Sequence, residues 1–107
     1  MKLLIVDDSS MMRTVIQQYL QDFDLDIVGE ANNGVVALEL FKKTRPDMVT
    51  LDITMPEMDG LQCLKKMLAV LPQTTVVMIT ALADKATGLI AMSEGAKAFL
   101  VKPVTHE

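Results

Sequence analysis

The chain has 107 residues, half of them apolar and 22% charged, with a formal net charge of -4, which suits one folded globular domain rather than a disordered segment. No apolar stretch approaches the ~20 residues needed to cross a bilayer, and the four-residue run after Met1-Lys2 is too short for a signal peptide's apolar region of about 7–15 residues, so a cytoplasmic protein is expected. With no block of Lys or Arg, Cys63 as the only cysteine and His106 as the only histidine, the composition argues against nucleic-acid binding, a disulfide framework, a thiolate zinc site and Ser-His-Asp catalysis.

The pattern alternates from the first residues onward. Lys2–Val6 is a short run of Leu, Ile and Val without polar alternation, which predicts a strand buried on both faces. From Ser9 the period changes: Met12, Val15, Ile16, Tyr19, Leu20 and Phe23 recur at three and four, a single helical stripe that Ser9 or Ser10 can cap. Asp26–Glu30 is a second strand whose charged ends suit a sheet edge. Asn32-Asn33-Gly34 interrupts the chain and Val35–Lys43 predicts a second helix. After Pro46, Asp47–Leu51 is the third strand, and the loop Met55–Gly60 leads into a helix whose stripe is Leu61, Leu64, Leu68 and Leu71. That helix carries Cys63 and stops at Pro72. Thr75–Thr80 is a fourth, Val-rich strand. Asp84–Ser93 is a fourth helix, rich in small residues and weakened by Gly88. Gly95-Ala96-Lys97 then turns the chain into a fifth strand, Ala98–Val101. The nine methionines and absent tryptophan read as adaptable core packing with some exposed contact surface, ahead of a Met-lined partner groove.

Strand and helix repeated four times before a last strand predicts an α/β domain, doubly wound on a five-stranded parallel sheet with right-handed crossovers. Such folds bind ligands outside the carboxyl ends of their strands, where the strand order reverses. Asp7, Asp8, Asp52, Thr80 and Lys102 all fall at such ends. Three carboxylates and one ammonium gathered there would hold a divalent metal and a phosphoryl group. Asp7-Asp8 alone reads as a helix-capping pair, but a third aspartate ending another strand reverses that reading. A turn-forming role for Asp52 before Pro56 leaves the apolar strand in front of it unexplained, and Lys102 beside Pro103 is weakly accounted for as an ordinary surface lysine.

Four segments carry a resemblance to a known family: Leu4-Ile5-Val6-Asp7-Asp8-Ser9, Asp52-Ile53-Thr54-Met55-Pro56-Glu57-Met58-Asp59-Gly60, Ile79-Thr80-Ala81, and Gly95–Pro103. Together they resemble the receiver domain of two-component response regulators, in particular the stand-alone chemotaxis, CheY-like kind. CheY-like receivers are a standard example of the flavodoxin-like strand order 2-1-3-4-5, and the resemblance implies that order here. It implies a phosphorylation-dependent switch rather than an enzyme acting on a separate substrate, one that catalyses only its own phosphorylation and slow dephosphorylation. Asp52 is the implied phosphoacceptor, receiving the group from a histidine kinase. Mg²⁺, with Mn²⁺ as a substitute, is the implied cofactor; Asp8 and Asp52 bind it directly, Asp7 mainly through water, and Thr54 through its backbone carbonyl. Lys102 contacts the phosphoryl oxygens, and Thr80 and Phe99 form the switch pair. The helix-four and strand-five surface, with Lys85 and Lys97 near it, is the implied docking face, and the downstream target or output domain is left open. Thr54 and Leu82 would tune the phosphoryl lifetime; Leu82 is apolar and cannot orient a water, so slow to moderate autodephosphorylation is expected.

One departure from the family concerns the end of the sequence. Residues 1–107 read as a receiver domain with the final helix truncated, which would leave part of one apolar sheet face bare. A fragment of a longer protein is the favoured explanation, ahead of a dimer in which two chains cover each other's bare faces, or marginal folding. Three rival classes are weaker. An aspartyl phosphatase would carry a second Asp at the position of Thr54, a flavin carrier would be repelled by Asp7-Asp8-Ser9-Ser10 at its phosphate loop, and a degenerate scaffold would not need the complete acidic set.

Overall fold

The computed structural model describes residues 1–53, 58–79 and 86–101 in full, and 80 and 85 by their backbone. Its strands are β1 (Lys2–Val6), β2 (Asp26–Ala31), β3 (Met48–Asp52), β4 (Thr75–Thr80) and β5 (Ala98–Val101), and its helices α1 (Ser10–Tyr19), α2 (Gly34–Thr44), α3 (Gly60–Val70) and α4 (Lys85–Ser93). All strand pairs are parallel and the order is β2-β1-β3-β4-β5. Among the described residues, no helix is long and apolar enough to cross a membrane.

The unbroken apolar run of β1 follows from its central place. Leu4 and Val6 face a core shared with Ala37 and Phe41 of α2, Cys63, Leu64 and Met67 of α3, and Ala91 of α4. Leu3 and Ile5 face the opposite side, where they meet Ile16 of α1 and Ile79 of β4. With apolar neighbours on both faces, no position in Leu3–Val6 can be polar without loss. Among the described residues the β2 strand pairs only with β1, and it exposes Asp26 and Glu30, charges that blunt a sheet edge.

Among the described residues, three helices begin with a side-chain cap. Ser9 Oγ accepts from the Met12 N–H at 3.2 Å, Asn33 Oδ1 from Val36 N–H at 2.9 Å, and Asp59 Oδ1 from Gln62 N–H at 2.9 Å. Each such cap contributes about 1 kcal/mol. All three lie near the carboxyl ends of strands, so the helix starts crowd toward the edge that carries the aspartates.

Two sequence expectations are adjusted. The α1 stripe reaches Phe23 on paper, but the helix ends at Tyr19, the Leu20 N–H closes on Ile16 O at 3.0 Å, and Phe23 is exposed. The chain must turn there to deliver the Asp26 N–H to Met1 O at 2.8 Å, and among the described residues no element covers Phe23. Asp52 belongs to β3 rather than following it, since it pairs with Ile79 in the ladder. Among the described residues α1 is the only helix on its face of the sheet, and an apolar groove of about 60 Å³ remains between α1 and β5, walled by Ile16, Tyr19, Leu20, Val77, Ile79 and Leu100.

Helix α2 ends on Arg45, whose φ of 47° and ψ of 64° are left-handed while its N–H bonds to Phe41 O at 2.9 Å. A residue with a Cβ is strained there and glycine is not. Arg45→Gly should therefore stabilise the fold by about 0.5–1 kcal/mol after the extra chain entropy of glycine is counted. Arg45→Val should destabilise it by a similar amount. Urea unfolding with an unchanged slope checks both signs.

Candidate functional site

The site is a consequence of register. In the parallel pair β1 and β3, Val6 lies opposite Leu51, so the next residues along, Asp7 and Asp52, emerge side by side at one strand spacing of about 4.8 Å. The chain leaves β1 toward β2 on one side and returns to β3 on the other. The crevice between β1 and β3 is thus the point where strand order reverses.

Asp7 is fully buried; its N–H bonds to Ala31 O at 3.0 Å and its Oδ1 accepts from Ser9 N–H at 2.9 Å. Asp8 is exposed, and Asp52 is only 3% exposed. One carboxylate oxygen from each of Asp7, Asp8 and Asp52 lies within 4.8 Å of the others. Three carboxylates so close repel one another, and two of them have little water to screen the repulsion. A hard divalent cation relieves this directly, because it prefers oxygen ligands and retains waters on the open side that Asp8 provides. The donor set therefore fits Mg²⁺.

Gly60 fixes the floor of the site. Its N–H bonds to Ile53 O at 2.7 Å, and a Cβ there would fall 2.6 Å from Ile53 Cα, with the Asp52 carbonyl oxygen nearer still. Only glycine lets the start of α3 approach the end of β3 so closely. Gly34, opening α2, likewise leaves room for Met58, where a Cβ would come within 2.6 Å of the Met58 carbonyl oxygen.

The remaining candidates are placed unevenly. Thr80 ends β4, paired with Val101, and is described by its backbone alone. Thr54, Leu82 and Lys102 lie outside the described residues. Phe99 on β5 is half-buried and lays its ring on α4 at Gly88, where a Cβ would stand 3.0 Å from Phe99 Cδ2 and 3.2 Å from Cγ. The glycine that weakens α4 as a helix thus makes the bed for this ring. Lys97, Leu89 and Ile90 are exposed on the α4 and β5 side.

Two residues escaped the reading of the sequence. Gly60 was legible only as part of a loop. Arg13 carried no motif, yet its Nη1 donates to the Asp7 carbonyl at 2.6 Å and its Nε pairs with Glu30 Oε1 at 3.1 Å. Its place one turn into α1 was the available signal, since helical side chains lean toward the N-terminus and so toward the strand end.

Cys63 is excluded as a nucleophile. Its buried thiol donates to Gly34 O at 3.8 Å, and burial, with the Asp59 charge adding to it, pushes its pKa up to about 12.

These features define a class of protein: a doubly wound domain with an acidic cation pocket at its switch point and no built substrate cleft among the described residues. The sequence profile of the response regulator receiver domain matches residues 3–107. The chain is 47% identical over 103 residues to the chemotaxis protein CheY of Listeria monocytogenes, covering 96% of this chain and 87% of that one. It is 42% identical over 102 residues to CheY of Bacillus subtilis, covering 95% and 85%. Among solved structures it superposes with a TM-score of 0.90 on the receiver domain of AraT from Geobacillus stearothermophilus, at 32% identity and coverage of 96% and 81%. The TM-score is also 0.90 against the CheX-CheY-BeF3-Mg complex of Borrelia burgdorferi, at 36% identity and coverage of 97% and 79%. The chain belongs to the response regulator receiver domain family. It is a receiver domain of the CheY-like two-component regulators, a family that binds Mg²⁺ at an acidic Asp cluster. Membership removes the flavin-carrier and phosphatase readings.

Gly60→Ala should destabilise the fold by about 1–3 kcal/mol, because the new methyl group meets backbone rather than a side chain that can swing away; urea unfolding checks it. Cys63 should resist alkylation at pH 8 until the protein unfolds. Its folded pKa lies above the unfolded one, so its contribution to stability is intact below pH 9.0 and is lost as pH climbs from there toward about 12. A Cys63→Ala variant should show a shallower alkaline decline.

Proposed function

We propose that this receiver is a cytoplasmic, phosphorylation-dependent switch in which Asp52 accepts a phosphoryl group from a histidine kinase. The observation that carries the reading is the convergence of Asp7, Asp8 and Asp52 within 4.8 Å at the strand ends. A carboxylate is a weak nucleophile and the incoming phosphoryl group is itself negative, so the reaction depends on positioning and on charge neutralisation. Mg²⁺, when bound by Asp8, Asp52 and the Thr54 carbonyl, with Asp7 acting through water, supplies that neutralising charge. An Asp52 carboxylate oxygen attacks phosphorus in line; the O–P bond forms as the N–P bond to the donor imidazole breaks, and the electron pair leaves with the imidazole. Asp52 starts from a rigid place, held in the β3 ladder opposite Ile79. Lys102 holds a phosphoryl oxygen with its ammonium.

The Thr80 hydroxyl, at the end of β4, donates to another phosphoryl oxygen and moves toward the site. Phe99 follows into the space left behind, biasing one of two packings. Its bed on Gly88 links it to α4, and exposed Leu89, Ile90 and Lys97 beside it suit a docking face for the downstream partner. Phe99 brings no hydroxyl to that face, so packing alone carries its part of the signal.

Incubation with Mg²⁺ and a small acyl phosphate or amidophosphate, followed by intact mass measurement, tests the reading. One phosphoryl adduct is expected on the wild type and none on Asp52→Ala or without divalent metal. An adduct that persists on Asp52→Ala would overturn the assignment. Adduct decay should be slow to moderate, and Leu82→Glu and Leu82→Asn should both change its rate; equal decay in all three proteins would remove Leu82 from the account.

A further inference from the structure

The acidic pocket has a basic neighbour that takes no part in the chemistry above. Arg13 lies one turn into α1 with its side chain 18% exposed, and it makes two different bonds. Nη1 reaches the backbone carbonyl of Asp7 at 2.6 Å, and Nε reaches Glu30 on β2 at 3.1 Å. The Asp7 carbonyl sits one residue past the last paired residue of β1. It is also half of the peptide that joins Asp7 to Asp8. Asp7 is pinned from two other directions, by its N–H to Ala31 O and by its Oδ1 to Ser9 N–H. A third bond on the carbonyl sets the plane of the peptide between the two carboxylates, and hence the directions in which both leave the backbone.

We propose that Arg13 is a positioning residue for the acidic site. It locks the Asp7–Asp8 peptide so that both carboxylates are preset for a divalent cation, and Glu30 aims the guanidinium. This rests on the reading of the Asp7, Asp8 and Asp52 cluster as a Mg²⁺ site. The planar guanidinium serves two acceptors in fixed directions at once, which an ammonium cannot reproduce. Presetting ligands removes an ordering cost that binding would otherwise meet, and partners of metal ligands commonly alter affinity by about tenfold or more.

The sign of the effect separates positioning from charge. A positive group beside a cation site repels the cation, so if charge alone mattered, removing Arg13 would tighten Mg²⁺ binding. If positioning dominates, removing it weakens binding. Calorimetric Mg²⁺ titration of the wild type, Arg13→Met, Arg13→Lys and Glu30→Gln reads this directly, with circular dichroism to establish folding. Arg13→Met keeps the stem packing while losing both donors and the charge. It should raise the Mg²⁺ Kd about tenfold. Arg13→Lys should recover part of the loss, and Glu30→Gln should weaken binding by a smaller factor. In phosphorylation by the small donor, the Mg²⁺ concentration giving half-maximal rate should rise in step with Kd, with a smaller change at saturating Mg²⁺. A fall in melting temperature with unchanged Kd, or tighter binding in Arg13→Met, would overturn the inference. If Arg13→Met does not fold, Glu30→Gln decides by the same titration. A folded wild type that takes up no Mg²⁺ would overturn the cation-site reading, and this inference with it.

Discussion

The parallel register of β1 against β3 is the constraint on which the rest depends. Because Val6 stands opposite Leu51, Asp7 and Asp52 must emerge together at the same edge of the sheet. A slip of one residue would turn each side chain of β1 to the other face. It would set Leu3 and Ile5 against the α2–α4 core and move Asp7 away from Asp52. The apolar cores on the two faces therefore do more than hold the domain together. They specify a register, and the register places the carboxylates.

That arrangement works against itself electrostatically. Two aspartates with almost no exposure are held beside a third, a cluster that burial and mutual repulsion both oppose. The surroundings offset part of the cost with fixed donors: the Ser9 N–H on the Asp7 carboxylate and the Arg13 guanidinium on the Asp7 carbonyl. Such a pocket gathers three carboxylate oxygens at one strand edge with two of the aspartates buried. These are the conditions under which a divalent cation gains most from entering.

The same economy of small residues serves the far end of the sheet. Gly88 costs α4 helical propensity but allows the Phe99 ring to rest on the helix backbone. A ring that touches both β5 and α4 is mechanically connected to whatever docks on that side. The likeness to chemotaxis CheY proteins, at 47% and 42% identity, covers both the acidic edge and this helix-and-strand surface.

Much of this was legible in the sequence, for definite reasons. Short apolar runs ending on charge and a period that switches between strand and helix are local signals, so the elements, the class of fold and the identities of Asp7, Asp8 and Asp52 follow from residue order. The end of α1 was not legible, because whether Phe23 is buried depends on what packs against it, and among the described residues it stays exposed. Gly60 and Gly88 looked like punctuation and weakness until the atoms that approach them were in place. Arg13 looked like one more surface charge on a helix. Its tie to the Asp7 carbonyl and to Glu30 joins residues that are 6 and 17 positions apart, and a helix stripe cannot report a contact made across a sheet edge. Residue order by itself determined which groups this protein can bring to its chemistry. Only the tertiary structure decided how closely they stand and what holds them there, because distance and support come from register and packing between segments remote in sequence.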